Sequence, residues 1–435
     1  MRSGVVLGAA ALAAVPLLAL AGRGGGDAPR LLAGEAVVVS SAATGNPTAA
    51  LAPDGTGWVA WIASDGGVAN VFAARLDAAG RAGEGIRVND VAGDAAPHEQ
   101  APARIGVGPE GNVYVVWQNN TRVEGRRFPA SDLRFARSTD GGRSFEPAGT
   151  VNDDAGGAPS SHTFHDLLVA PDGTVWVSWI DSRVRDAARA ATGGGGHGGH
   201  AHDHLPPSEI RVARSVDGGR TFGPGLVVDA GPCPCCRTAM ATGPDGTLYV
   251  AWRKEFAGSI RDVVVARLAP GAAAFEPPVR VHPDEWEFPA CPHAGPALAI
   301  DGDGRLHVGW YTGREGRQGL WLARSADGGR SFGPPVPLRT GDDVPPSTVS
   351  LATVQGTVLA AWDGRAAGGA RVEMGAVGGD GRVQPGDAPF AGRLPVLASA
   401  GGAALLAWHE GETVRAARVS APAERPRGPY TSPTP

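Results

Sequence analysis

The strongest constraint on the fold is a short phrase that recurs seven times along the chain. Each copy is a turn followed by an alternating apolar run that ends in tryptophan, as in "APDGTVWVSW" and "GPDGTLYVAW". The copies end at Trp61, Trp117, Trp179, Trp252, Trp310, Trp362 and Trp408. A spacing of roughly fifty to seventy residues is typical of a blade repeat with variable loops.

A second phrase predicts a tight turn between the third and fourth strands of a unit. It reads "ARSTDGGRSFEP" from Ala136, "ARSVDGGRTFGP" from Ala213 and "ARSADGGRSFGP" from Ala323. Its aspartate can accept backbone N–H bonds across the turn, and its glycines tolerate a positive φ. The phenylalanine that follows can then pack into the core. The aspartates are Asp140, Asp217 and Asp327, and the phenylalanines are Phe145, Phe222 and Phe332.

The remaining pattern predicts an all-β chain of four-stranded units. Its 66 glycines and 37 prolines are too many for a helical protein, and short alternating runs such as "NVYVVW" recur. Four-stranded units repeated around an axis form a β-propeller, here with seven blades. The last unit supplies only three strands, so the N-terminal segment 35–41, "EAVVVSS", is predicted to close the ring beside it.

The turn phrase resembles the Asp-box of the sialidase-like (BNR repeat) propeller superfamily. The pattern Ser-x-Asp-Gly-Gly-x-(Ser/Thr)-Phe matches three times, and the repeats cover most of the chain. The resemblance implies that the first strand of each blade lines a central channel. It also implies that the loops entering those strands share one face with the loops between second and third strands. The resemblance to sialidases implies six blades as the alternative blade count. Binding proteins and several types of hydrolase share the turn pattern.

Charge and terminal segments limit the compartment and the partners. With 39 basic and 44 acidic residues the net charge is −5, so no nucleic-acid partner is expected. Residues 1–21 read as a signal peptide cleaved after Ala21, which predicts a secreted or periplasmic protein without a transmembrane segment in the mature chain. Residues 22–34 read as a flexible linker, 35–420 as the propeller and 421–435 as a disordered Pro-rich tail. A monomer is expected.

Histidines and cysteines concentrate on the predicted channel-mouth face. All four cysteines and every histidine except His282 and His307 fall on its loops. Thiolates and imidazoles suit copper(I) or zinc, which predicts a metal site. The candidate ligands are Cys233, Cys235, Cys236, Cys291, His293, His162, His165 and His98. Accessory chelation is predicted for His197, His200, His202 and His204 in the loop "HGGHAHDH".

Two other chemistries for the cysteines remain open. Four cysteines in an exported protein are compatible with disulfides, and a bridge from Cys291 to Cys233, Cys235 or Cys236 would join blade four to blade five. A redox-active pair is the third possibility. The spacing of the three clustered cysteines matches no standard zinc-finger pattern.

A glycan-directed hydrolase is the competing function, and it comes from the resemblance. The resemblance to sialidases implies a site with arginines that clamp a substrate carboxylate, a Tyr–Glu nucleophile pair and an acid/base aspartate. In this sequence the catalytic set would be Tyr311, Glu255 and Asp181. The substrate-binding set would be Arg183, Arg237, Arg253 and Arg365, with Trp286 as a further ligand contact. The Arg-Ile-Pro signature of sialidases is missing from this sequence, and the segment most similar to it is "PARIGV", which contains Arg104.

The third hypothesis is a non-catalytic propeller that holds a glycan, another small molecule or a protein on the same face. Whether the protein is an enzyme stays open at this point. If it is one, the sequence predicts a glycoside hydrolase or a metal-dependent enzyme.

Overall fold

The computed structural model describes residues 31–43, 45–126, 128–192, 205–342, 344–366, 368–386 and 390–420. The predicted signal peptide, the C-terminal tail and the four histidines of the "HGGHAHDH" loop lie outside these described residues. Within them the chain forms seven antiparallel sheets and a nine-residue helix. No helix in the described ranges is long and apolar enough to cross a membrane.

The strands follow the chain blade by blade. Two strands, β1 (Leu32–Ala33) and β2 (Val37–Ser40), precede the first blade. Blade one comprises β3 (Thr48–Leu51), β4 (Gly57–Asp65), β5 (Val68–Leu76) and β6 (Ile86–Arg87). Blade two comprises β7 (Arg104–Val107), β8 (Val113–Gln118), β9 (Leu133–Ser138) and β10 (Gly149–Thr150). Blade three comprises β11 (His162–Val169), β12 (Val175–Asp181), the helix α1 (Arg183–Ala191), β13 (Glu209–Ser215) and β14 (Leu226–Ala230).

The second half continues the same order. Blade four comprises β15 (Ala239–Thr242), β16 (Leu248–Phe256), β17 (Ile260–Leu268) and β18 (Val279–Arg280). Blade five comprises β19 (Ala297–Ile300), β20 (Leu306–Thr312), β21 (Gly319–Ser325) and β22 (Val336–Thr340). Blade six comprises β23 (Val349–Val354), β24 (Thr357–Ala366), β25 (Gly369–Val377) and β26 (Val383–Pro385). Blade seven comprises β27 (Arg393–Ala400), β28 (Ala403–Glu410) and β29 (Thr413–Ser420).

The N-terminal strands close the ring. β2 pairs antiparallel with β29, with Val37 opposite Ala416, and this confirms the predicted closure and the count of seven blades. β1 also pairs with β29, at the end of the segment predicted as a linker. Leu31 just before it is 1% exposed and packs into the core between blades six and seven.

Each repeated tryptophan lies in the interface with the preceding blade. Trp117 of blade two packs with blade one, Trp252 of blade four packs with blade three, and Trp61 closes the circle against blade seven. The second strands carry a continuous apolar run because they have a strand on each side and a neighbouring blade on each face. β8, for example, is buried along its whole length. The seven interfaces together form the core.

The Ser-x-Asp-Gly-Gly turns are fixed by the aspartate. In the first turn Asp140 Oδ1 accepts the backbone N–H groups of Arg143 at 2.9 Å and Ser144 at 3.1 Å. The Ser144 hydroxyl donates to Asp140 Oδ2 at 2.7 Å, and this bond is the largest of those that hold the pKa of Asp140 well below its usual range. Asp217 and Asp327 make the same bonds. The following phenylalanines pack against blade-interface clusters, as predicted.

The second glycine of each turn rests on an aromatic ring of the preceding blade. A Cβ at Gly142 would overlap the ring of Trp58, and a Cβ at Gly219 would lie 2.8 Å from the ring of Phe135. The turn therefore couples adjacent blades as well as reversing the chain.

Replacing Gly142 by alanine should destabilise the protein more than replacing its neighbour Gly141. Both residues have a positive φ, of +74° at Gly141 and +79° at Gly142, so each alanine incurs about 1–2 kcal/mol of backbone strain. A Cβ at Gly141 meets open space, whereas at Gly142 overpacking against Trp58 adds about 1–3 kcal/mol. Equal losses in free energy of unfolding for G141A and G142A, measured by urea denaturation, would contradict this account of the interface.

Candidate functional site

The cysteine-rich loop of blade four is held against the end of β16. The N–H of Cys233 donates to the carbonyl of Arg253 at 2.8 Å, and the N–H of Glu255 donates to the carbonyl of Gly231 at 2.9 Å. These bonds extend the sheet into the loop. They place Cys233, Cys235 and Cys236 directly before β15, the first strand of the blade.

The loop before β19 of blade five packs against this cysteine loop. A Cβ at Gly295 would lie only 2.5 Å from the carbonyl oxygen of Arg237, so the two backbones approach as closely as glycine allows. Gly295 belongs to the segment "CPHAGP", which carries Cys291 and His293. The approach therefore brings ligands from both blades to one place.

Five side chains form two overlapping groups. The sulfur of Cys233 lies 3.7 Å from that of Cys235 and 3.5 Å from that of Cys236. The ligand atoms of Cys235, Cys291 and His293 also lie within 4.8 Å of one another. All four cysteines are free thiols, so the disulfide that the sequence left open is not formed in this structure. Cys235 belongs to both groups.

Two guanidinium groups are buried beside these thiols. Arg253 is 1% exposed, and it donates to the carbonyls of Ala294, Arg261 and Tyr311 at 2.7–3.1 Å. No carboxylate of the described residues pairs with it. Arg261 is 6% exposed and has one carboxylate partner, Glu255, at 3.2 Å. Buried cations require counter-charge, which thiolates at this position would supply.

Electrostatics within the thiol cluster favour one thiolate. Hydrogen bonds from the thiols of Cys235 and Cys236 lower the pKa of Cys233, and Arg261 and Arg253 lower it further. Burial raises the pKa of Cys236 to about 12, and the bond to Cys233 raises that of Cys235. The negative charge is therefore centred on Cys233, and a cation that binds here would displace the remaining thiol protons.

Two residues in contact with the site adopt a left-handed backbone. Phe164 has a φ of +56° and His293 a φ of +51°. Such conformations cost non-glycine residues about 1–3 kcal/mol and concentrate at functional sites. The Phe164 side chain packs against the three buried cysteines, with its ring centroid 5.2 Å from that of His98.

His98 lies next to the cysteine groups but belongs to neither of them. Its ring centroid lies 5.8 Å from that of His293. His98 Nδ1 accepts the N–H of Gln100 at 3.1 Å, so the proton of the neutral ring is on Nε2. Burial and the nearby His293 lower the pKa of His98, which favours this neutral form. In this geometry neither nitrogen offers a free lone pair to a metal.

His162 and His165, two of the predicted ligands, lie outside both groups formed by the cysteines. His162 Nδ1 lies 2.6 Å from the carbonyl of Ser131, and Nε2 lies 3.0 Å from Asp154. Both nitrogens therefore face protein acceptors rather than the cysteines; although burial opposes it, Asp154 and Asp181 raise the pKa of His162. His165 is fully buried, and burial with nearby Arg104 lowers its pKa to about 4. Neither belongs to the groups formed by the cysteines.

The predicted catalytic trio is engaged in internal bonds. Tyr311 is 2% exposed, and its hydroxyl donates to the carbonyl of Val344 at 3.1 Å. Glu255 pairs with Arg261, while Asp181 is buried and accepts from Arg183 at 2.9 Å and from the indole of Trp179 at 2.8 Å. A nucleophile must be free to meet a substrate, and the hydroxyl of Tyr311 is not.

The predicted substrate contacts are dispersed. Arg253 is saturated by carbonyls, and Arg183 is bound by Asp153 and Asp181. Trp286 is 5% exposed, and it packs on Tyr311 and Phe288 with centroids 5.5 Å and 4.9 Å away, so it is part of the core. Arg365 is exposed on β24, whereas Arg237 lies on the wall of the central cavity.

The central cavity begins where the cysteine loop ends. Its volume is about 160 Å³, and the first strands of all seven blades line it. Arg104 and Asp166 form an ion pair on the wall, with Nε 2.7 Å from Oδ1. Arg237, the residue after Cys236, also lines the cavity, and burial lowers its pKa to about 10. No carboxylate of the described residues forms an ion pair with Arg237.

Arg261, Phe164 and Gly295 are parts of this site that were not predicted from the sequence. The doublet Arg261–Asp262 interrupts the start of the otherwise apolar β17, and both residues are buried. A charged pair in a buried strand is a detectable signal of a polar site. The positive φ of Phe164 and the close approach of the backbones at Gly295 have no corresponding signal in the sequence.

Comparisons with known proteins agree on the fold. No protein-family model matches the sequence, and the search of curated proteins gives no significant match. A polysaccharide lyase structure described as an ulvan lyase matches with 10% identity and a TM-score of 0.56, over 88% of this chain and 95% of that chain. A Hadza microbial sialidase matches with 17% identity and a TM-score of 0.50, over 85% and 74%. A Dyadobacter fermentans protein of unknown function matches with 11% identity and a TM-score of 0.51, over 90% and 100%.

These similarities confirm the predicted sialidase-like propeller fold. At such identities they extend to the fold alone. The chemistry of the site has to be argued from its own residues.

Thiol titration should detect one fast-reacting cysteine and three protected ones. Cys291 is exposed, whereas Cys233, Cys235 and Cys236 are at most 4% exposed. With an aromatic disulfide reagent and no reductant, we expect one thiol per chain to react rapidly in the native protein and all four in denaturant. A total of two or none in denaturant would show that disulfides form after all.

Proposed function

We propose that this propeller binds a soft metal cation, copper(I) or zinc, through the Cys/His cluster at its channel mouth. The observation that carries the proposal is the proximity of three buried free thiols to a buried guanidinium, Arg253, that has no carboxylate partner in the described chain. Thiolates and imidazole are the ligands that these metals prefer.

The ligands we assign are Cys233, Cys235, Cys236, Cys291 and His293. Sulfurs bound to one metal at about 2.3 Å lie roughly 3.8–4.0 Å apart, and the measured separations of 3.5 and 3.7 Å need only a small expansion to reach this. The predicted signal peptide would place the protein outside the cytoplasm, where bound metal would protect the thiols from oxidation. The strained backbone at His293 supports a functional position for its ring.

Removing one inner thiol should abolish tight metal binding. Protein purified without a histidine tag and under reducing conditions should retain metal through gel filtration. For Cys236→Ser we expect Kd to rise by more than about a hundredfold, because loss of even an outer partner of a metal ligand costs up to that much. Affinity should also fall as the pH is lowered, since the thiols must lose their protons to bind.

The control addresses the histidine-rich loop. A variant with His197, His200, His202 and His204 replaced by asparagine keeps every proposed ligand and should retain tight binding. If this variant loses the metal and Cys236→Ser does not, the assignment of the site to the cysteine cluster is wrong.

We propose a second role for the central cavity, the binding of a small acidic sugar. The supporting observation is Arg237, a guanidinium on the cavity wall without a carboxylate partner among the described residues. Guanidinium groups bind carboxylates through paired hydrogen bonds. The structural neighbours include an ulvan lyase bound to a sugar that contains glucuronic acid, and a sialidase, which agrees with such a ligand.

Calorimetry with sialic acid and with glucuronic acid tests this role. Arg237→Met should weaken binding by at least about tenfold, in line with the loss of a charge-assisted hydrogen bond. Arg365→Met removes an exposed arginine on β24 and should leave binding unchanged. Equal binding by both variants would refute a role for Arg237. Hydrolysis of a fluorogenic sialoside that Tyr311→Phe abolishes would instead favour the hydrolase.

A further inference from the structure

The two ligand groups at the channel mouth do not merge into one. Cys233, Cys235 and Cys236 are mutually within 4.8 Å, and so are the ligand atoms of Cys235, Cys291 and His293. In the described part of the chain no four of these five residues meet the same limit together. One cation cannot therefore reach all five ligands without rearrangement.

We infer that the cluster holds two copper(I) ions, with the thiolate of Cys235 bridging them. The inference rests on the proposed metal-binding function and deepens it. A thiolate sulfur carries more than one lone pair and can bind two soft cations at once. The inner ion would have Cys233, Cys235 and Cys236 as ligands, and the outer ion would have Cys235, Cys291 and His293.

Copper(I) fits this arrangement better than zinc. A structural zinc site requires four ligands in one tetrahedral shell, and neither group supplies four.

The number of ligands in each group also favours copper(I). Each group supplies three ligands, and soft thiolate sites select copper(I), for which three ligands suffice. The three inner ligands are buried, at 0%, 4% and 1% exposure, so bulk solvent has little access to the inner ion.

The two positions differ in access to solvent. All three inner ligands are buried, whereas Cys291 and His293 are exposed. The outer ion should accordingly exchange with external chelators first, and the inner ion should be retained. His293 and Cys291 mark the entry path for copper.

Anaerobic titration with copper(I) against a competing chelator tests the inference. We expect two equivalents bound per chain and a copper–copper scattering path in the X-ray absorption spectrum. Cys291→Ser should bind one equivalent without that path, because the inner group remains intact. Cys235→Ser should also lose the copper–copper path, since the bridge is gone.

His98→Gln is the matched control. His98 adjoins His293, but its Nδ1 already accepts the N–H of Gln100, so the variant should keep two equivalents and the copper–copper path. One equivalent in the unaltered protein, with no copper–copper path, would overturn the bridged pair while leaving the metal-binding function in place. No bound copper or zinc would overturn both.

Discussion

The buried guanidinium of Arg253 organises the region where blades four and five meet. Its donors bind the carbonyls of Ala294 in the loop before β19, of Arg261 on β17 and of Tyr311 on β20. One side chain therefore fixes the segment that carries Cys291 and His293 against the blade that carries the other three cysteines. Because its positive charge has no carboxylate partner in the described chain, it also creates a need for negative charge. Cys233 lies nearby, and its pKa is lowered by hydrogen bonds from Cys235 and Cys236 and further by Arg261 and Arg253.

The ring geometry makes this meeting possible. Blade interfaces are built from the repeated tryptophans and from turn glycines that rest on a neighbouring ring, as Gly142 rests on Trp58. Closure by β2 on β29 completes the circle. The loops before the first strands of blades four and five are then neighbours, although Cys236 and Cys291 are far apart in sequence. Two of the six described non-glycine residues with a positive φ, Phe164 and His293, lie at the candidate metal centre.

The sequence predicted the blades because their signals are local and repeated. The tryptophan that ends each second strand and the Asp-Gly-Gly turn report burial and turn geometry within a few residues. It also predicted that Cys291 and His293 meet the cysteine loop, since that follows from blade order. It did not predict the surroundings of His162 or Tyr311. Whether a side chain at a strand end faces a ligand or a carbonyl such as that of Ser131 or Val344 depends on contacts between distant segments, which periodicity does not encode.

Anomalous diffraction at the copper edge, from crystals of untagged protein loaded anaerobically with copper(I), tests the central claim most directly. The account predicts anomalous density among the sulfurs of Cys233, Cys235, Cys236 and Cys291 and the ring of His293, beside the guanidinium of Arg253. Density confined to other histidines, with a disulfide joining Cys291 to one of the inner cysteines, would contradict it.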